Sequence, residues 1–303
     1  MHGRVFKSTG SWYRVLSDKG IHYDCRIKGK FRLDKSKLTN PVAVGDTVEF
    51  DLEEKEEKQG VITKIDERKN YLIRRSNKLS KQFQIIASNV DQILLVATIA
   101  KPRTTTVFID RILMTAEAYR IPVILIFNKR DVYSSEEQRL LEAYCKIYTS
   151  IGLEVKIVSA FDATDLQSLR KPIANKISLI TGHSGVGKST LMNQLNPSLT
   201  LKTGSLSKYY QRGTHNTTFA EMHTISEQTF IIDTPGIKDF GVVDFESENI
   251  SLFFPDIRHY AGKCKFNNCK HIDEPECMVL NALRNQHIYV SRYESYLNIL
   301  ATL

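Results

Sequence analysis

Alternation of apolar and polar residues dominates the first 65 positions. Ile21, Tyr23, Cys25 and Ile27 interleave with His22, Asp24, Arg26 and Lys28, a period of two that puts one strand face in a core and the other in water. Val48, Phe50 and Leu52 repeat the pattern after Gly45-Asp46, and Gly60 opens a further strand over 61–65. Short strands separated by turns predict a small antiparallel β-barrel.

From residue 91 onward the pattern changes. Residues 93–97, 121–127, 155–158, 177–180 and 230–232 are short, mostly apolar runs, broken only by Lys156 and Ser178, suited to strands covered on both faces. Between the first two, Phe108, Ile109, Ile112, Leu113 and Ala116 share one helical stripe. Between the next two, Ser134 and Glu137 form a capping box ahead of Leu140, Leu141, Tyr144 and Ile147. Strands alternating with helices predict a parallel sheet with helices on both faces, where ligands bind at the carboxyl ends of strands.

Charge and cysteine usage sharpen this picture. The chain of 303 residues carries a formal charge of +8. Residues 1–40 hold ten basic side chains against three acids, with Trp12, Tyr13 and Tyr23 among them. Such a patch attracts polyanions, so the barrel reads as an oligonucleotide-binding (OB) fold that takes RNA. No apolar run approaches the roughly 20 residues of a membrane helix, and the first residues do not resemble a secretion signal. Five cysteines are too few and too odd in number for a disulfide scaffold, which makes a reducing cytoplasm the expected compartment.

Three motifs then point to one ligand. Gly182-His183-Ser184-Gly185-Val186-Gly187-Lys188-Ser189 follows the strand 177–180 and precedes the stripe Leu191, Met192 and Leu195. Its glycines let backbone N–H groups face a phosphate, Lys188 supplies a point charge, and the Ser189 hydroxyl suits Mg²⁺, with Thr190 next in the helix. Asp233-Thr234-Pro235-Gly236 ends the strand 230–232, with Asp233 placed for the Mg²⁺ shell and the Gly236 N–H for the γ-phosphate. Asn128-Lys129-Arg130-Asp131 follows the strand ending at Phe127. There the Asp131 carboxylate can accept from the guanine N1–H and amine while the Lys129 stem packs along the base. Adenine leaves that carboxylate unpaired, a mismatch that buried polar sites reject strongly. Ser159 and Ala160 would bring a backbone N–H to the guanine carbonyl. Together these residues predict GTP and GDP rather than ATP.

Guanine recognition thus precedes phosphate binding, the reverse of Ras-like proteins. A circular permutation accounts for it, because domain termini often lie close together. Ras-type enzymes place a Gln after the Asp-x-x-Gly loop to orient the attacking water, whereas this chain has Ile237. His215, within Gly213-Thr214-His215-Asn216-Thr217-Thr218, is the candidate to take that catalytic role, and Thr217 or Thr218 to reach Mg²⁺. The polar stretch 200–218 reads as a segment ordered by nucleotide or partner.

Near the C-terminus, Cys264, Cys269, His271 and Cys277 offer three thiols and an imidazole within fourteen residues. Four such ligands suit one tetrahedral, structural Zn²⁺. Cys25 and Cys145 read as buried thiols. Tyr293, Tyr296, Leu297 and Leu300 form a helical stripe that Ser291 is placed to cap.

These elements together resemble the ribosome small subunit-dependent GTPase A (RsgA, YjeQ) family over essentially the whole chain. The features that carry the resemblance are the barrel, the permuted motif order, Gly182 to Ser189, Asp233 to Gly236, His215, Ile237 and the Cys264/Cys269/His271/Cys277 set. The expected architecture is multidomain: an OB-like barrel over 1–75, a circularly permuted α/β P-loop GTPase domain over 76–243, and an α-helical zinc-binding domain over 244–303. The resemblance implies a late assembly factor that binds the small ribosomal subunit, contacts its 16S rRNA, and hydrolyses GTP to leave, with His215 as the catalytic histidine and the subunit as stimulator. It implies no membrane partner, and one-sided docking on RNA fits a monomer. Asn216 stands where the family more often has Thr, which leaves the Mg²⁺-binding threonine open. No basic tail follows the last helix. The other reading of the same features is a GTP-dependent binding module whose hydrolysis is incidental.

Overall fold

The computed structural model describes residues 1–29, 40–53, 56–75, 83–202, 220–234 and 247–302. Five strands make the barrel: β1 (His2–Ser8), β2 (Tyr13–Ser17), β3 (His22–Ile27), β4 (Thr47–Leu52) and β5 (Gln59–Ile65). They pair in the order β1-β2-β3-β5-β4, and β4 returns to β1, which closes the ring. One pairing differs from the antiparallel expectation: β3 and β5 run parallel, with Cys25 opposite Gly60. A five-stranded ring has an odd number of seams, so strands of alternating direction cannot close it.

Period two holds inside the barrel, where Val5, Tyr13, Val15, Tyr23, Cys25, Val48, Phe50 and Ile62 form one core. It fails at the strand ends. Ile21 and Leu52, expected inside, are 43% and 49% exposed. Ile21 precedes the first residue of β3, and Leu52 is the last of β4, beyond the reach of the ring.

A hairpin of β6 (Tyr71–Arg75) and β7 (Phe83–Ser88) follows the barrel as its own two-stranded sheet. Asp46, fully buried, ties the junction together. It accepts from Arg68 Nε at 2.7 Å, the Ser88 hydroxyl at 2.6 Å and the Ala43 N–H at 2.8 Å. Gly45 adopts φ +97°, and a Cβ there would lie 2.0 Å from the Ser88 carbonyl oxygen, so only glycine lets hairpin and barrel approach this closely.

The second half is the expected doubly covered sheet. Strands β8 (Gln92–Ala97), β9 (Val123–Phe127), β10 (Glu154–Ile157), β11 (Ile177–Thr181), β12 (Glu221–Ser226) and β13 (Thr229–Asp233) lie in the order β10-β9-β8-β11-β13-β12. All are parallel except β12. Alternate residues of one strand feed two cores. Ile93, Leu95 and Ala97 face helices α1 (Thr106–Ala118) and α2 (Ser135–Ser150), whereas Leu94 and Val96 face α3 (Ala163–Ile173) and α4 (Lys188–Leu195). The capping box forms as read: Ser134 Oγ accepts from Glu137 N at 3.3 Å, and Glu137 Oε2 accepts from Ser134 N at 2.8 Å. Two expectations change. Residues 121 and 122 precede β9 rather than belong to it, and β10, at the sheet edge, is half exposed instead of covered. The edge position removes a neighbour on one side, and Glu154 and Lys156 suit the exposure that results.

Barrel and sheet are continuous. β1 pairs with β12 through Lys7 and Glu221, whose side chains form an ion pair at 3.0 Å.

After β13, a 3-10 helix (Ser247–Phe253) and α5 (Pro255–Ala261), α6 (Met278–Arg284) and α7 (Val290–Leu300) complete the described chain. They share a core with Met114 of α1. Ser291 is not the cap of α7. Tyr289 precedes the helix, and its carbonyl accepts from Arg292 N and Tyr293 N, which starts the helix earlier. Arg292 is the reason this end is fixed. Its guanidinium, 1% exposed, donates to Asp110 Oδ1 of α1 at 2.6 Å and to Asp256 of α5 at 2.8 and 3.0 Å, and it lies over the Phe254 ring. No helix among the described residues is long and apolar enough to cross a membrane.

Candidate functional site

The loop between β11 and α4 is shaped by three glycines at positive φ: Gly182 (+144°), Gly185 (+84°) and Gly187 (+100°). A Cβ at Gly182 would lie 2.1 Å from the Val96 carbonyl oxygen, and one at Gly187 would lie 2.4 Å from Asn128 Nδ2. The cradle therefore exists only because those side chains are missing. Ser184 is exposed at its tip, Val186 is anchored in the core, and Ser189 and Thr190 occupy the first turn of α4. Lys188 Nζ donates to the carbonyls of Gly182 (2.8 Å) and His183 (3.0 Å), which folds its charge back over the cradle. Burial lowers its pKa, and Asp233 opposes that shift.

The structure brings Asn128 and Lys129 to this loop from the end of β9. Asn128 Nδ2 donates to the Val186 carbonyl at 2.9 Å, and Lys129 Nζ to the carbonyls of Gly185 and Lys101, both at 2.7 Å. Lys129 adopts φ +66°, which turns the chain so that Asp131 stands exposed beyond it. Burial lowers the Lys129 pKa while Asp131 raises it. Ser159 and Ala160 are buried beyond β10, with the Ser159 N–H bonded to Asp165 Oδ2 at 2.7 Å.

Asp233 ends β13 beside β11, with Ile180 as its register partner. Its Oδ1 is buried without a hydrogen-bond partner among the described residues. Burial pushes this carboxyl above the usual carboxylate range, against the pull of Lys188 and His223. A buried carboxylate oxygen with no partner, at a strand end beside the half-buried Lys188, is a hard oxygen donor, so the residues present fit Mg²⁺. Gly236, Ile237, His215, Thr217 and Thr218 lie outside the described residues.

Several contributors were not legible in the motifs. His183, read as a loop position, stacks on Phe108 of α1 with ring centroids 3.8 Å apart. Tyr133 holds Asn128 by donating its hydroxyl to the Asn128 carbonyl, and it accepts from the Ile99 N–H at 3.0 Å. Arg130 joins the two base loops through Asp162 at 2.7 Å and Asp165 at 2.5 Å. The only sequence signal for that clamp was one base in a loop and two acids at the start of a helix.

A second site gathers Cys264, Cys269, His271 and Cys277, whose ligand atoms all lie within 4.8 Å of one another. His271 Nδ1 is 3.6 Å from Cys264 Sγ and 3.5 Å from Cys277 Sγ, and the two sulfurs are 3.9 Å apart. With Zn–S near 2.3 Å and Zn–N near 2.0 Å, a tetrahedron has edges of about 3.8 Å and 3.5 Å, so the donors fit this ion. Burial pushes the Cys269 thiol up to about 12. Thiolates could share this space only around a cation. Tyr293 and Tyr296 donate to the carbonyls of His271 and Lys270, each at 2.7 Å, and Glu274 accepts from the Lys270 and Ile272 N–H groups. Cys25 and Cys145 take no part. Cys25 is buried as expected, whereas Cys145 is only half-buried; burial raises both thiols, Cys25 to about 12.

Comparison with known proteins points to one family over the whole chain. The RsgA GTPase family model covers residues 65–243 and the RsgA N-terminal domain covers 2–62. A small ribosomal subunit biogenesis GTPase RsgA of Christiangramia forsetii is 52% identical over 301 residues, 99% of this chain and 96% of that protein. An RsgA 2 of Bacteroides thetaiotaomicron is 50% identical over 300 residues, with the same shares covered. Among solved structures, YjeQ from Thermotoga maritima superposes with a TM-score of 0.80 at 32% identity, covering 100% of this chain and 98% of that one. YloQ, described as a circularly permuted GTPase, gives 0.74 at 28% identity, covering 99% and 94%.

Proposed function

This chain belongs to the RsgA GTPase family, and from that premise we propose that it hydrolyses GTP to GDP and phosphate while bound to the small ribosomal subunit, late in that subunit's assembly. The observation that carries this reading is the convergence of Asn128 and Lys129 on the backbone of Val186 and Gly185, with Lys188 and Asp233 beside them.

The site residues take roles from their chemistry. Asp131 accepts from the guanine N1–H and amine, the Lys129 stem covers one face of the base, and the backbone at Ser159 and Ala160 faces the carbonyl. Residues 182–190 wrap the phosphates with N–H groups. Lys188 exchanges its two carbonyl partners for phosphate oxygens, which concentrates its charge in a partly desolvated place. Gly236 reaches the γ-phosphate. Ser189, Asp233 and one of Thr217 and Thr218 would hold Mg²⁺, which supplies charge neutralisation between the phosphates. His215 orients the attacking water, the task Ile237 cannot perform. Cys264, Cys269, His271 and Cys277 hold one structural Zn²⁺.

Residues 1–75 make up the RNA-binding domain, whose barrel strands end at Ile65; 76–243 make up the GTPase domain and 244–303 the zinc domain, and the β6–β7 hairpin straddles the first boundary. The partner is the small subunit with its 16S rRNA, the protein acts as a monomer, and its compartment is the cytoplasm. Ile237 favours a second reading, a GTP-dependent binding module with incidental hydrolysis. Turnover with and without purified small subunits separates the two. Stimulation of about tenfold or more supports the enzyme. Unchanged turnover with retained, nucleotide-dependent co-sedimentation supports the binding module.

A further inference from the structure

We infer that Phe161 is an aromatic wall of the guanine pocket, a binding residue that raises affinity for the nucleotide by stacking on its base. The inference rests on the guanine reading of Asn128 to Asp131. Phe161 directly follows Ser159 and Ala160 in the loop between β10 and α3, and it is 76% exposed. Among the described residues its ring makes no aromatic or cation contact. Such exposure is ordinary on a loose loop, but this loop is fixed. Phe161 N donates to Ser159 Oγ at 3.3 Å, Asp162 N to the Ser159 carbonyl at 3.1 Å, and Ser159 N to Asp165 Oδ2 at 2.7 Å. Asp162 in turn caps α3 through the N–H groups of Thr164 and Asp165.

The same loop is bolted to the one that carries Asp131. Arg130 N donates to the Val158 carbonyl at 3.2 Å, and the Arg130 guanidinium reaches both Asp162 and Asp165. These joined loops present an exposed carboxylate at Asp131 and an exposed ring at Phe161, with the smaller Val132 also in solvent. The carboxylate matches the hydrogen-bonding edge of guanine. An aromatic ring carried on an anchored loop matches its flat face, because base–aromatic stacking is favourable for any π-surface. Lys129 is held at Gly185 and Lys101, on the phosphate-loop side, and Phe161 supplies a second apolar surface from the loop bonded to Arg130.

The test is calorimetric titration of the full-length protein with GDP. Phe161→Ala is expected to weaken GDP by about tenfold, and Phe161→Tyr, which keeps the ring, by no more than about twofold. Melting without nucleotide should stay unchanged in both, since the ring is in solvent. In Phe161→Trp protein, tryptophan emission should change on GDP addition beyond any change in the wild type, whose single tryptophan is Trp12 of the barrel. If wild type does not bind GDP at all, the guanine reading itself fails. If wild type binds, but Phe161→Ala matches it within about twofold and the new tryptophan is silent, the wall is refuted and the site stands. Loss of small-subunit co-sedimentation with unchanged GDP affinity would likewise overturn it, by making Phe161 a docking residue.

Discussion

Asn128 Nδ2 donates to the carbonyl of Val186 at 2.9 Å, a bond between residues 58 positions apart that welds the base loop to the phosphate loop. Gly187 makes this possible, since a Cβ there would sit 2.4 Å from the same nitrogen and φ is +100°. Gly187→Ala should therefore cost about 1–3 kcal/mol of stability and at least about tenfold in GDP affinity. Urea unfolding and calorimetric titration read the two losses separately.

Asp131 decides which base is accepted. In Asp131→Asn the carboxylate becomes an amide whose N–H meets the guanine donors. GDP should weaken by at least about 100-fold. Xanthosine diphosphate, which carries an oxygen where guanine has its amine, should gain. Competition binding with both nucleotides checks the swap, and equal loss for the two would remove the base-reading role of Asp131.

Metal analysis should find one zinc per chain. Zinc contributes about 10–16 kcal/mol in isolated finger peptides, far more than so short a loop can supply by packing. Removing it with a strong chelator, or replacing Cys264 by Ser, should expose amides of the 264–284 region to hydrogen exchange. The β8–β13 sheet should keep its protection.

Arg292 joins α7 to α1 and α5 through the buried Asp110 and the partly buried Asp256. Arg292→Met leaves Asp110 and Asp256 without their cation and should cost about 3–5 kcal/mol in urea unfolding. A pH signature goes with it. Burial raises the Asp110 pKa, and Arg292 holds that rise in check. With the arginine gone, the folded state prefers the protonated acid more strongly. Stability then falls as pH rises from the ordinary carboxylate range near 4 toward neutrality, more steeply than in wild type. Adding Asp110→Asn should flatten the profile.

His215→Ala should retain GDP affinity and lose most of the stimulation of turnover by small subunits, about 10²–10⁴-fold for a water-orienting group. Full stimulation in the variant would take the role away from His215.

Short-range chemistry was legible in the chain before any fold was known. The Ser134–Glu137 box, the Gly182–Ser189 loop and the four metal donors each span fewer than fifteen residues, and their geometry follows from spacing and residue type. Period-two runs likewise announced strands, because a side chain's face in a strand is a local property. What only the tertiary structure decided is everything that depends on neighbours far along the chain. β10 reads as a covered strand like β9, but it lies at an edge, where Glu154 and Lys156 find water. Parallel β3–β5 pairing is needed for closure, although each strand alone has no direction to prefer. Arg292, unremarked in the sequence, becomes a buried tie between three helices because Asp110 stands 182 residues away in the chain and 2.6 Å away in space. Sequence periodicity records whether a residue seeks water or a core. The identity of the partner it meets there is set by packing, which no local pattern encodes.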